Sequence, residues 1–278
     1  MISYKNCNQV DKSLIFRAFS EGFSDYMIKF KITESHFFNR FFGPEGNELK
    51  YSYIALEDSK GVGLVLGGIR QFDGLKTMRC GTMCVLPSYR GKGIATKLME
   101  LHKVKAIEEK CKQLFLEVIV GNDKALSLYK KLGYNEVYNI SYYSKDDFNW
   151  LKDVEVNEVE EIGIDELKKF RNTFSDIHIN WQNEMEFIEK TKAKHYGLKK
   201  KGKLIGAISS LNGKIFFIGI KKEFRNRGIS KKLIKATIVE NIENLRVSFP
   251  NNSSLDGYFR KMKFKKDTLS QYEMYKYL

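Results

Sequence analysis

The apolar strand Thr82-Met83-Cys84-Val85 leads through Arg90-Gly91-Lys92-Gly93-Ile94-Ala95 into the helical stretch Thr96-Lys97-Leu98-Met99. No other feature restricts the fold as much. A strand that turns through glycines into a helix leaves the first helical N–H groups unpaired and the positive dipole end open, which makes an anion site. Gly91 and Gly93 let an anion approach the main chain without meeting a side chain. Residues 225–230, Arg-Asn-Arg-Gly-Ile-Ser, repeat the arrangement after the apolar run at 214–220. A chain that carries it twice reads as two strand–loop–helix units.

The repeat extends to either side of the loops. Residues 203–220 read as two strands joined at Asn212-Gly213, matching 61–72 and 76–86 around Asp73-Gly74. After the first loop come a helix over 93–110, with Ile94, Leu98, Leu101 and Val104 on one side, a strand at 113–120 and a helix at 123–132. After the second come a helix over 227–241, with Ile229, Leu233, Ile234 and Ile238 on one side, a strand at Leu245–Phe249 and a short helix. The first half opens with a strand near Ile2–Tyr4, helices over Lys12–Ser20 and Glu34–Phe41 and a strand near 51–57, and it ends in closing strands near 134–145. The second opens with a strand near 154–157 and helices over 165–173 and 184–192. The pattern predicts an α/β (α+β) chain of two tandem domains, 1–147 and 153–278, each a central mixed, mostly antiparallel sheet flanked by helices. A short linker lies at about Asp146–Asp153.

A chain of 278 residues, 42% of them hydrophobic, can bury two ordinary cores. The first residues, MISYKNCNQV, lack the basic and apolar regions of a secretion signal, and no apolar run is long enough to span a bilayer, so a cytoplasmic protein is expected. The four cysteines include no CxxC pair and the histidines are scattered, which predicts reduced, buried thiols and no metal site. Cys80 and Cys84 are expected on one face of a strand, too far apart to bridge. The net charge of +14 is spread over dispersed lysines without a nucleic-acid motif, so it reads as a solvated basic surface that suits an anionic small molecule.

Residues 114–134, LFLEVIVGNDKALSLYKKLGY, carry the chemistry. Glu117 is the one charge in an apolar run that reads as a strand buried on both faces. A carboxylate kept there needs a partner or a task, and desolvation would raise its pKa toward that of a useful base. Asn122 suits a turn beside a helix N-cap. Tyr129 falls on the apolar side of its helix with Ala125 and Leu132, where it either packs or donates its phenolic proton. Residues 76–90 contain no acid, and Glu21, Asp25 and Glu34 are alternative bases. The aromatic stretch at 19–42, including Phe19, Phe23, Tyr26, Phe30, Phe37 and Phe41, serves either core packing or an apolar acceptor pocket.

The loop pattern R-x-x-G-x-A, followed by L-E-V-x-x-x-N-x-x-A-x-x-L-Y-x-x-x-G-[FY] with Glu117, Asn122, Ala125, Leu128, Tyr129, Gly133 and Tyr134 in place, resembles the GNAT (GCN5-related N-acetyltransferase) family. The two motifs occur in the family's order, 32 residues apart from Arg90 to Asn122, and the resemblance covers about residues 50–145. It implies an acyl-CoA site built from Met83, Cys84 and Val85 along the pantetheine arm and Arg90, Gly91, Lys92, Gly93, Ile94, Ala95 and Thr96 around the pyrophosphate, with Asn122 beside the arm. It implies Tyr129 as general acid. Glu117 resembles the strand glutamate of the ribosomal-protein N-terminal acetyltransferases and becomes the candidate base. The implied partners are acetyl-CoA and an amine-bearing acceptor, without membrane, nucleic acid or metal.

The second copy departs from the pattern. Laying Asn252 on Asn122 without gaps puts Val247 on Glu117, Phe259 on Tyr129, Leu255 on Ala125 and Lys263 on Gly133, with Tyr258 one position off. The first domain is therefore expected to catalyse and the second to have lost catalysis. Three functions remain open: an N-acetyltransferase moving acetyl from acetyl-CoA to a primary amine by direct attack in a ternary complex, a non-catalytic acyl-CoA-binding or regulatory protein, and a tRNA-dependent aminoacyltransferase of tandem GNAT fold. Members of the last class generally lack the acyl-CoA loop seen here.

Overall fold

The computed structural model describes residues 1–28, 31–238 and 242–278. Phe30 and the end of the helix expected over 227–241 lie outside the described residues. The chain divides into two spatial units, Met1–Tyr138 with Gln271–Leu278, and Asn139–Ser270. The last eight residues thus pack with the first half of the sequence.

The first unit begins with strand β1 (Ile2–Asn6), helices α1 (Lys12–Gly22) and α2 (Glu34–Phe41), and strands β2 (Glu48–Glu57), β3 (Lys60–Phe72) and β4 (Leu75–Val85). It continues with α3 (Ile94–Glu108), β5 (Gln113–Ile119), α4 (Asp123–Lys131) and the start of β6 (Asn135–Lys145). Local chemistry sets several boundaries. The Thr33 hydroxyl caps α2 by accepting from the His36 N–H at 3.2 Å, with Glu34 in the first turn and Arg40 in the last. Asp73 and Gly74 both take positive φ, 50° and 76°, which matches the twist of the β3–β4 hairpin.

The second unit contains β7 (Val159–Glu161), α5 (Ile164–Arg171), α6 (Met185–Glu189), β8 (Lys194–Lys200), β9 (Lys203–Leu211), β10 (Lys214–Ile220), α7 (Ile229–Ala236), β11 (Leu245–Phe249) and α8 (Ser253–Lys261). The final strand, β12 (Lys265–Tyr277), leads into the chain's end. Asn212 and Gly213, with φ of 47° and 75°, form the β9–β10 turn.

Strand order in the first unit is β1-β2-β3-β4-β5-β12, antiparallel except for the parallel pair β4/β5. In the second it is β6-β11-β10-β9-β8-β7, antiparallel except for β10/β11. The closing strands expected at 134–145 are a single strand, β6, and the place beside β5 is taken by Gln271–Tyr277. Each sheet has a core on both faces. In the first unit α3 and α4 cover one face through Leu98, Met99 and Tyr129, while Ile15, Phe19, Phe37 and Phe41 of α1 and α2 cover the other. In the second, α7 and α8 take one face and α5 and α6 the other.

A bulge in β4 re-aims its end. Leu66 pairs with Thr82 and Gly67 with Cys80, so Gly81 is the extra residue. A Cβ there would meet Asn47 Oδ1 at 2.1 Å. The alternation resets across the bulge, and Cys80 joins the α3-side core while Cys84 joins the α1-side core. The shared face expected for these cysteines is corrected accordingly. All four thiols are free and buried.

Candidate active site

The parallel pair β4/β5 opens from within. Register pairs run from Thr77↔Gln113 to Cys80↔Leu116 and stop, while β4 continues to Val85 and β5 to Ile119. Met83, Cys84 and Val85 thus keep β3 on one side and turn their other edge to the gap. The Leu86 N–H donates to Val62 on the β3 side at 3.0 Å, so by strand alternation the Val85 N–H points into the opening.

The glycine loop closes one end of this gap. Gly91 and Gly93 have φ of +77° and +78°, and nothing lies within 4 Å of where a Cβ would stand on either. Gly93 is the N-cap of α3, whose first backbone acceptor pair is Lys97 N–H to Gly93 at 3.1 Å. The N–H groups of residues 91–96 have no main-chain acceptor among the described residues. Lys92 is exposed at the mouth, while Ile94 anchors the helix in the core and Ala95 and Thr96 are half-buried. An open, left-handed, N–H-lined turn fits a pyrophosphate.

The Arg90 side chain turns away from that turn. Its two terminal nitrogens hold Asp25 at 2.6 and 2.7 Å, its Nε donates to the Val85 carbonyl at 3.0 Å, and Nη2 reaches the Gly22 carbonyl at 3.2 Å. Arg90 therefore ties the loop after α1 to the end of β4. This contact commits Asp25, one of the alternative bases, and Glu21 pairs with Lys60 at 3.2 Å. Glu34 stays in the first turn of α2.

Tyr129 lies over the α3-side face of the sheet, near Cys80 and Cys84 of β4. It is 6% exposed and packs in the α3-side core, edge-on to Tyr134. Burial holds its phenol well above the usual value, with Cys80, Tyr134, Tyr26 and Cys84 adding to the shift. The group is a neutral proton donor throughout the neutral range. Burial likewise pushes the Cys80 and Cys84 thiols up to about 12, so neither is a thiolate. Asn122 caps α4 by accepting from the Ala125 N–H at 3.4 Å, and the Tyr26 hydroxyl bonds to its side chain.

Glu117 lies on the other face of the sheet and is not alone. Its Oε2 takes a hydrogen bond from Arg79 Nη2 at 2.6 Å, and Arg79 Nη1 holds Glu45 at 2.8 Å. The three side chains are 4 to 6% exposed. Glu117 Oε1 is buried and has no hydrogen-bond partner. The carboxylate that needed a partner or a task in the sequence thus has one oxygen paired and one left over. Glu45 is held by its loop: Arg70 donates to the Pro44 carbonyl at 2.6 Å and the Asn47 amide to Phe41 at 2.7 Å.

Sequence reasoning missed Arg79, Glu45 and Glu273. Glu273, on β12, stands directly across from Glu117 in register and is fully buried. Side chains so placed share a face. A buried Arg in the middle of β4 was a visible signal, since an apolar strand keeps such a residue only with a carboxylate partner. Nothing in the sequence announced that the chain's end would supply the strand beside β5. Most of the aromatic stretch is core: Phe19, Phe37 and Phe41 are nearly or fully buried against one another, with Phe23, Phe38 and Phe42 packed around them.

In the second unit the same frame recurs without the acid and the phenol. Pairing of β10 with β11 stops after Ile215↔Val247, Gly228 caps α7 with φ of +78°, and Asn252 caps α8 through the Leu255 N–H. The caps align α8 with α4, but the strand register corrects the ungapped alignment in β11. The last parallel pair before the bulge is Cys80↔Leu116 in one unit and Ile215↔Val247 in the other, which puts Ser248 at the Glu117 position. Val247 packs in the α7-side core as Leu116 does in the α3-side core, and Phe259, at the Tyr129 position, is a core residue.

The sequence model of the Acetyltransferase (GNAT) family matches residues 14–134, and that of the Acetyltransferase (GNAT) domain matches residues 151–274. An N-alpha-acetyltransferase of Sulfurisphaera tokodaii is 34% identical over 104 residues, 34% of this chain and 62% of that protein. N-alpha-acetyltransferase 30 of Saccharomyces cerevisiae is 32% identical over 129 residues, 44% of this chain and 66% of that protein. The chain thus spans less than two thirds of either relative's length. A solved tandem GNAT protein from the clavulanic acid biosynthesis pathway superposes with a TM-score of 0.70 at 11% identity, over 100% of this chain and 98% of that one, and so shares the fold. Two matched domains, each with a parted parallel strand pair and a glycine-capped loop, make this chain a tandem member of the GNAT superfamily.

Proposed function

We propose that the first unit is an acyl-CoA-dependent N-acetyltransferase whose acceptor is an α-amine at a peptide N-terminus. The observation that carries the transfer reading is Tyr129, a buried neutral phenol near Cys80 and Cys84, the stretch of β4 where pairing with β5 ends. The printed names of the relatives support the α-amine.

Acetyl-CoA supplies the activated thioester. The N–H groups at 91–96 hold its pyrophosphate, and the free edge of Met83, Cys84 and Val85 holds its arm. The Val85 N–H meets the oxygen that gains charge as the amine adds. Glu117 Oε1 takes the proton that an ammonium must lose to become a nucleophile, directly or through water. Tyr129 donates to the departing thiolate and recovers a proton from the nitrogen, which turns acidic as it adds to the thioester, so the transfer closes although the parent thiol, near pKa 8.5, is a stronger acid than the phenol. Arg79 fixes the Glu117 carboxylate, and Arg90 with Asp25 fixes the loop beside the donor.

The test is CoA release with a free-amine peptide, the same peptide N-acetylated, and a lysine side-chain amine. The first should turn over and the second should not; turnover of the side-chain amine alone would overturn the acceptor class. Tyr129→Phe and Glu117→Gln should each lower kcat by about 10²–10⁴ while CoA affinity holds. Unchanged kcat in both variants removes the assigned roles.

A further inference from the structure

The second unit has an opening of its own, between β10 and β11, that widens into a cavity of about 770 Å³ lined wholly by residues of that unit. The volume is that of a small-molecule site. Ser248 and Phe259 leave it without a carboxylate or a phenol in the transfer positions.

Its walls nevertheless hold polar groups that the protein does not satisfy. Asn180 is fully buried and lines the cavity, and neither its Nδ2 nor its Oδ1 has a hydrogen-bond partner. Asn183, 2% exposed, donates through Nδ2 to the Ser248 carbonyl on β11 at 2.8 Å and keeps an unpartnered Oδ1. The Tyr258 hydroxyl reaches toward Ser230 in the first turn of α7 but makes no well-formed hydrogen bond. Leaving one such group unsatisfied costs about 1–3 kcal/mol. A folded chain that keeps three around one cavity points to a ligand that pairs with them.

Charge narrows the ligand further. No Asp or Glu lines the cavity, whereas His178, Arg225, Lys231 and Lys261 do. Arg225 repeats the Arg90 anchor, its Nε donating to the Ile220 carbonyl at 3.1 Å. Asp25 has no counterpart here, and the exposed Arg225 guanidinium makes no ion pair among the described residues. An ammonium would find no carboxylate inside. A neutral group that both donates and accepts would find Asn180, Asn183 and Tyr258, and an anion beyond it would find Arg225 at the rim.

We propose that the second unit is a ligand site without transfer chemistry, taking an anion whose buried portion is an amide. Two small molecules carry that chemistry, the phosphopantetheine arm of CoA and an N-acylated peptide with a free carboxylate. The proposal stands on the second unit's own walls and not on the reaction assigned to the first.

Hydrogen–deuterium exchange of the full chain decides it, with CoA, N-acetylglycylglycine and the cationic amide glycinamide as probes. One of the two anions should slow exchange at residues 177–183 and 225–231, and glycinamide should not. Which anion does so identifies the source. Asn180→Leu and Tyr258→Phe should each weaken that ligand about tenfold, while the response of residues 91–96 to CoA stays as in the wild type. Tyr258→Phe keeps the ring and decides alone if Asn180→Leu does not fold. The proposal is overturned if neither anion protects these segments up to about 5 mM, if glycinamide protects them equally, or if Tyr258→Phe binds as the wild type does. Protection by CoA at 91–96, with neither anion protecting 177–183 and 225–231, would leave the first-unit reading standing and remove this one; protection at 177–183 and 225–231 without any at 91–96 would do the reverse.

Discussion

Arg79 sits between Glu45 and Glu117 with all three side chains nearly out of water, so each charge depends on the others. Removing the cation leaves two buried carboxylates facing one another. Arg79→Leu is expected to cost about 3–5 kcal/mol in urea unfolding, well above the about 1 kcal/mol of an ordinary substitution, and a small loss would show that the cluster relaxes easily. His102, on α3, is the opposite case: fully buried, with neither ring nitrogen bonded, and held down to about 4 by desolvation. It stays neutral in the folded state, while the unfolded chain takes up a proton below about pH 6.5. Its contribution to stability is full above that pH and is lost as pH falls toward about 4. His102→Leu should therefore narrow the Tm difference between about pH 7.5 and pH 5, and an unchanged difference would place the acid sensitivity elsewhere. Tyr129 and the Cys80 and Cys84 thiols titrate the other way, their folded values raised by burial. Their contribution is full below the unfolded values, about 8.5 for thiols and 10 for phenols, and is lost as pH rises beyond them. Residue types were readable in the sequence, and so was the need of Glu117 for a partner. That the partner is Arg79, 38 positions away, was not, because it depends on how β4 and β5 align side by side.

At the scale of elements, the sequence was most legible where the determinants are local. Helix α2 and strand β11 have the bounds their capping and apolar patterns predict, Glu34–Phe41 and Leu245–Phe249. Turns at Asp73-Gly74 and Asn212-Gly213 take the left-handed φ their residues favour. Boundaries moved where packing decides: α7 ends at Ala236, capped by Thr237, and the strand expected near 154–157 forms at Val159–Glu161, where it can pair with β8. The loop before α3 depends on main-chain shape more than on the Arg90 charge. Gly93→Ala puts a Cβ on a φ of +78° and should weaken CoA binding, whereas Asp25→Asn should act only through mobility of the loop after α1. Calorimetric titration separates them, and equal Kd values for Gly93→Ala and the wild type would contradict the main-chain anion site. In α4 the turn closes on Gly133 at φ +83°, and the matching place after α8 is Lys263 at φ +58°, so the second copy kept the cap geometry after losing the glycine that favours it.

For the molecule as a whole, the consequential fact is that Gln271–Tyr277 completes the first sheet beside β5. Met274 is fully buried in that core, and Tyr275 packs against Phe72 and Phe115. A chain ending at Ser270 should expose the edge of β5 and lose the first unit's cooperative unfolding, not merely some activity. Calorimetry of that shortened chain checks this, and an unaltered first transition would show the strand to be dispensable. The same strand brings Glu273 opposite Glu117, so Glu273→Gln tests whether the acceptor side needs its charge: an elevated KM for the free-amine peptide is expected, with CoA affinity unchanged. By itself the sequence determined the two glycine loops, the caps of α4 and α8, the apolar face of α7 and the loss of the acid and phenol from the second copy; in α3 the expected face fails at Val104, which is exposed, and Met99, His102 and Ala106 are buried instead. The features so determined rest on neighbours within a few residues, where periodicity and turn chemistry act. The tertiary structure alone decided which strand stands beside β5, which guanidinium neutralises Glu117 and which buried amides line the second cavity. Those contacts join residues far apart in the chain, and only the packed sheet fixes their register.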